Sequence, residues 1–124
     1  MKTFTRKQFT SLASAAAIAL VPVAAFAHGM LESAVPPAGS TVDTAPEALR
    51  LTFNEELETA FSTVKVTDAS GAAVSKEKAK VDASNPRVLT ISLPKLSPGT
   101  YSVQWTVMTH DSHKTKGTYT FQVK

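Results

Sequence analysis

The sequence predicts an all-β domain, a small antiparallel sandwich or Greek-key barrel. Three observations predict it. No amphipathic helical period persists beyond residue 28, five segments alternate apolar and polar side chains at period two, and turn-forming residues separate those segments.

Taken in order, "LESAV" (31–35) is short and reads as an edge strand. "ALRLTFN" (48–54) sets Leu49, Leu51 and Phe53 on one face, with Arg50 and Thr52 on the other. "STVKVTD" (62–68) alternates Val64 and Val66 against Lys65 and Thr67. "RVLTISL" (87–93) groups Leu89, Ile91 and Leu93, and "TYSVQWTVM" (100–108) groups Tyr101, Val103, Trp105 and Val107. "TYTFQV" (118–123) closes the chain with Tyr119, Phe121 and Val123 on one face. Between them, "PPAGS", "DTAPE", "DASGAA", "DASNP" and "LSPGT" combine the fixed φ of proline with the conformational freedom of glycine and the local bonding of Asp and Ser. "SKEKAKVD" (75–82) is polar enough for a loop, a helical turn or a lysine-protected edge strand.

The first 27 residues read as a cleaved signal peptide. Lys2, Arg6 and Lys7 form a positive start, an apolar stretch follows, and Ala25 and Ala27 frame the A-x-A pattern before a signal-peptidase cut. Pro22 and the many small residues argue against a retained membrane span, which needs about 20 predominantly apolar residues. "TRKQF" matches the twin-arginine export signal only faintly, so the general secretory route is expected. Cleavage takes 27 residues from the 124 and leaves a single domain of 97 beginning at His28. It also removes three of the 13 basic residues and no acidic one, leaving ten against ten. A neutral mature chain offers no ground for nucleic-acid binding, and no stable membrane insertion is expected after the cut. With no cysteine, the domain relies on its core alone, and a metal would have to be held by nitrogen, oxygen or thioether donors.

All three histidines lie at two places: His28 at the predicted mature start, and His110 and His113 in "THDSHKTKG". If the alternation of the preceding strand continues, Asp111 and His113 face one side and His110 the other. A carboxylate and an imidazole two residues apart suit a metal ion, although D-x-H by itself also describes a solvated turn. His28 changes that balance. Once Ala27 is removed, its α-amine and imidazole can chelate one metal, and His113 adds a third nitrogen. Asp111, or water, adds an oxygen. Such tetragonal N,O coordination suits Cu(II), which also heads the divalent affinity order. The alternative amino-terminal copper motif needs histidine at the third mature position, which Met30 occupies.

"HGMLESAVPPAGSTVDTAPEALRLTFNEEL", "LSPGTYSVQWTVMTHDSH" and "KGTYTFQVK" resemble the CopC family of periplasmic copper-resistance proteins across essentially the whole mature chain. The resemblance implies a small Greek-key sandwich or barrel of immunoglobulin-like, cupredoxin type. It also implies one Cu(II) per chain, held by the first residue's amine and imidazole and by the D-x-H pair. Carried over, those ligands are His28, Asp111 and His113. Some members add a glutamate from the strand end "F-x-E-x-L", which falls on Glu55. His110 stands where a small polar residue is common and is considered as an auxiliary ligand. Some members also carry a methionine-rich Cu(I) site; with only Met30 and Met108 in the mature chain, none is expected here.

The function this implies is an exported copper carrier that sequesters or delivers Cu(II) in the periplasm, with a CopD-type inner-membrane transporter as a possible partner. Two alternatives stand beside it. A histidine-brace copper enzyme of the monooxygenase kind would need an open coordination position and an aromatic substrate platform. A metal-free immunoglobulin-like interaction module would need neither. No arrangement of nucleophile, base and orienting group suggests hydrolysis, and no enzyme activity is expected.

Overall fold

The computed structural model describes Thr3 and residues 29–124. The predicted signal segment, apart from Thr3, and His28 therefore lie outside the described residues. Eight strands make up the domain: β1 (Leu31–Val35), β2 (Thr41–Val42), β3 (Ala48–Phe53), β4 (Thr63–Thr67), β5 (Lys80–Asp82), β6 (Asn85–Ser92), β7 (Gly99–Met108) and β8 (Lys114–Val123). They form two four-stranded sheets, ordered β1-β3-β6-β5 and β2-β8-β7-β4. The all-β sandwich expected from the alternation is what the chain adopts, and its one helical piece among the described residues is a 3-10 turn at Thr59–Phe61.

The alternating faces become the core. Leu49, Leu51 and Phe53 from β3 meet Val103, Trp105 and Val107 from β7 and Phe121 and Val123 from β8, all buried. Burying a side chain of this size stabilises the fold by about 1.5–3 kcal/mol. Phe53 stands edge-on to Trp105 with ring centroids 5.1 Å apart, an arrangement aromatic quadrupoles favour. Gly117, directly across the ladder from Trp105, is needed for this packing, because a Cβ there would overlap the indole ring. At the end of the sheet where β7 begins, the Tyr101 hydroxyl donates to the Ser97 carbonyl at 2.6 Å.

Three details go beyond the sequence reading. β8 starts at Lys114, four residues before the alternating run, because the ladder with β7 extends unbroken from Gly99↔Val123 to Met108↔Lys114. β2 has only two residues, too short to show a period, and it pairs parallel to β8 in an otherwise antiparallel fold. The ambiguous lysine-rich segment contributes β5 as an edge strand, with Lys80 opposite Thr90.

Candidate metal centre

The long β7–β8 ladder ends in a turn over residues 109–113. The Thr109 N–H donates to the His113 carbonyl at 2.9 Å, and the Ser112 N–H donates to the Thr109 carbonyl at 2.9 Å. Ser112 takes φ +68°, the left-handed conformation that closes so short a turn. The strand alternation therefore stops at Met108 instead of continuing through the D-x-H motif. Asp111 and His113 still come together, but through the turn: His113 Nδ1 lies 2.9 Å from Asp111 Oδ2. Both side chains are well exposed, His113 at 60% and Asp111 at 44%.

Thr109 is the buried foundation of this pair. It is fully buried, continues the inward series of Val103, Trp105 and Val107, and donates its hydroxyl to Asp111 Oδ1. That hydroxyl first, and His113 second, hold the Asp111 carboxyl down to about 2. At neutral pH the site thus offers an ionised oxygen donor for which protons do not compete.

Residues 29 and 30, just after the predicted cleavage point, are fastened beside the same turn. Thr115 Oγ1 donates to the Gly29 carbonyl at 2.7 Å. Gly29 takes φ +64°, and a Cβ on it would lie 2.6 Å from Thr115 Oγ1 and 3.3 Å from Thr109 Cγ2. On the other side the Met30 N–H donates to Asn54 Oδ1 at 2.9 Å, while the Asn54 N–H donates to the Met30 carbonyl at 3.0 Å. Residues 29 and 30 therefore run between the end of β3 and the base of the β7–β8 hairpin. Glu55, half-buried, follows Asn54 directly and shares this end of the sandwich.

His110 has different neighbours. Its N–H donates to the Glu56 carbonyl at 3.2 Å, and its Nδ1 lies 3.8 Å from Glu58 Oε1. The turn thus brings Asp111 to His113 and sets His110 against the acidic β3–β4 connection. Among the described residues no group of three or more His, Asp or Glu side chains stands close enough to hold a metal ion. Asp111 and His113 are two donors at a suitable separation. Nitrogen and oxygen ligands sit about 2.0–2.2 Å from a first-row metal such as zinc, so two at right angles are about 2.8–3.1 Å apart, and this pair is at 2.9 Å.

Sequence reasoning did not single out Thr109, Thr115 or Asn54. The legible signal was parity: Thr109 stands two residues after Val107, so it points inward, and a buried hydroxyl requires a partner.

Comparison with known proteins agrees with this architecture. Residues 31–124 match the family model described as the CopC domain. The chain is 41% identical over 106 residues to Protein YobA of Escherichia coli K12, covering 85% of this chain and 86% of that protein. It is 38% identical over 112 residues to Copper resistance protein C of Escherichia coli, covering 84% and 87%. Among solved structures, CopC from Methylosinus trichosporium OB3b superposes with a TM-score of 0.74 at 36% identity, covering 78% of this chain and 94% of that one. PcoC, a methionine-rich copper resistance protein from Escherichia coli, gives a TM-score of 0.69 at 37% identity, covering 79% and 100%.

Proposed function

This chain belongs to the CopC domain family, and from that premise we propose that it is an exported protein that binds one Cu(II) and sequesters or carries it in the periplasm. The ligands in this reading are the amine and imidazole of His28, the Asp111 carboxylate and the His113 imidazole. Glu55, two residues beyond β3, and His110, 3.8 Å from Glu58, are the auxiliary candidates.

One observation carries the reading. The Asp111–His113 pair, 2.9 Å apart, tops a turn whose base binds Gly29, the residue after His28. One peptide bond separates that fastened carbonyl from the proposed amino-terminal ligand. The donor set supports the choice of metal, since imidazole, amine and carboxylate suit Cu(II), whereas Cu(I) calls for soft thioethers. The likeness to proteins named for copper resistance supports copper as the cargo. Export by a cleaved signal segment would generate the free amine, and a CopD-type membrane transporter would be the recipient.

A competition titration of the mature protein tests the proposal. One equivalent of Cu(II) binds with the spectrum of a tetragonal nitrogen–oxygen site, and ascorbate with oxygen gives no sustained turnover. Failure to bind one equivalent, or turnover well above that of free copper, contradicts it.

A further inference from the structure

We infer that Thr109 and Thr115, whose side chains converge on Gly29 at the base of the D-x-H hairpin, are positioning residues that set the register between residues 28–29 and the Asp111–His113 pair. The inference rests on the Cu(II) reading above and assigns a role to two side chains that do not themselves touch the metal. Thr115 stands at an inward position of β8, and Thr109, the residue just after β7, keeps that strand's inward parity; the neighbouring inward residues include Val107, Trp105 and Val103 on β7 and Tyr119 and Phe121 on β8. Valine has nearly the same shape as threonine and would fill these places without a polar group to satisfy. A hydroxyl held at such a position is costly unless it is bonded.

Each hydroxyl is spent on a different part of the proposed site. Thr109 Oγ1 donates to Asp111 Oδ1 and lies 3.3 Å from the His113 carbonyl, so it fixes the turn that carries two donors. Thr115 Oγ1 donates to the Gly29 carbonyl at 2.7 Å, so it fixes the residue after His28. The two side chains also converge on one point. A Cβ on Gly29 would overlap the Thr115 hydroxyl and press on the Thr109 methyl, so both threonines pack against that α-carbon. The Met30–Asn54 bonds complete the fastening from β3. Ordering a free chain terminus around a metal is entropically expensive. Bonds from Thr115 and Asn54 to residues 29 and 30 are made by protein groups alone, and they lower that cost.

The test compares Thr109→Val, Thr109→Ser, Thr115→Val and Thr115→Ser in mature protein beginning at His28. Cu(II) affinity is read by competition titration, the coordination by electron paramagnetic resonance, and folding by thermal unfolding. Loss of a group that orients a metal ligand typically weakens metal binding about 10–100-fold. Both valine variants are expected to fall in that range, with an altered resonance spectrum for Thr109→Val, while both serine variants retain wild-type affinity. In metal-free protein, Thr115→Val also speeds hydrogen exchange at Leu31, whose strand begins just beyond the fastened residues. If Thr109→Val fails to fold, the half-buried Thr115 pair decides the matter. Valine variants that bind within twofold of wild type with an unchanged spectrum overturn the inference. Wild-type protein that binds no Cu(II) overturns the functional reading itself, a result the variants cannot mimic.

Discussion

Three turns in this molecule carry an aspartate with a partner two residues on, and they use it differently. In "DAS" at 68–70 and again at 82–84, the carboxylate turns back on its own loop. Asp68 Oδ1 accepts from the Ser70 N–H, the Ser70 hydroxyl and the Ala72 N–H, and Asp82 Oδ1 accepts from the Ser84 N–H and hydroxyl. In "DSH" at 111–113 the second partner is an imidazole, and the bracing hydroxyl comes from the buried Thr109 behind it. All three carboxyls are held below their ordinary value. A lowered acid is thus no mark of a site by itself. What separates Asp111 is that, besides the His113 amide, its oxygens face the His113 imidazole, a second metal donor.

The largest expected effect comes from exchanging the acid for its amide in each turn. Asp111→Asn weakens Cu(II) binding by at least about 10–100-fold, the range already seen for losing a group that only orients a ligand, with little change in the unfolding midpoint. Asp68→Asn does the reverse: a lower midpoint in urea, with copper affinity unchanged. A collapse of folding in Asp111→Asn would erase the distinction and make its carboxylate structural.

A smaller effect concerns the residue that takes positive φ in each turn. Gly71 lies at φ +84° with open space around it, so Gly71→Ser introduces only the left-handed strain, about 1–2 kcal/mol, read by urea unfolding. Ser112 already bears that strain at φ +68°, and Ser112→Gly relieves part of it, leaving stability equal or slightly higher. Copper affinity stays constant in both variants, because Gly71 lies in another turn and glycine at 112 keeps the left-handed backbone that brings Asp111 to His113.

The smallest effect is in titration. Because its folded value is depressed, Asp111 stabilises the fold fully above its ordinary value of 3.8, and that contribution disappears as pH falls through about 2. Carboxyl resonances followed by nuclear magnetic resonance in metal-free protein locate that midpoint. Thr109→Val moves the Asp111 midpoint upward and leaves that of Asp68 in place.

Much of this fold was legible because period-two alternation is a direct consequence of one buried sheet face. The runs around Leu51, Val66, Leu89, Trp105 and Phe121 all became strands. β2 was not legible, since two residues carry no period, and neither was the start of β8, where "KTKG" gains its order from the ladder with β7 and not from its own pattern. The D-x-H pair could be read as adjacent donors, but not how they meet. Alternation suggested one strand face, whereas a turn with a left-handed Ser112 does the work. Thr115 and Asn54 escaped notice because their roles depend on contacts with residues 29 and 30, which come 24 to 86 positions earlier in the chain, and Thr109 because its bond to Asp111 depends on the turn.

The central claim is that export processing at Ala27 completes a Cu(II) site by freeing the amine of His28 next to a fastened Gly29. Its most direct test compares mature protein beginning at His28 with the same protein carrying one additional amino-terminal alanine, both titrated with Cu(II) against a competing chelator. The extended protein should fold identically and lose copper affinity by more than about tenfold, since an amide nitrogen replaces the amine donor. Equal affinity in the two proteins would mean that the amine is not a ligand, and the account would fail.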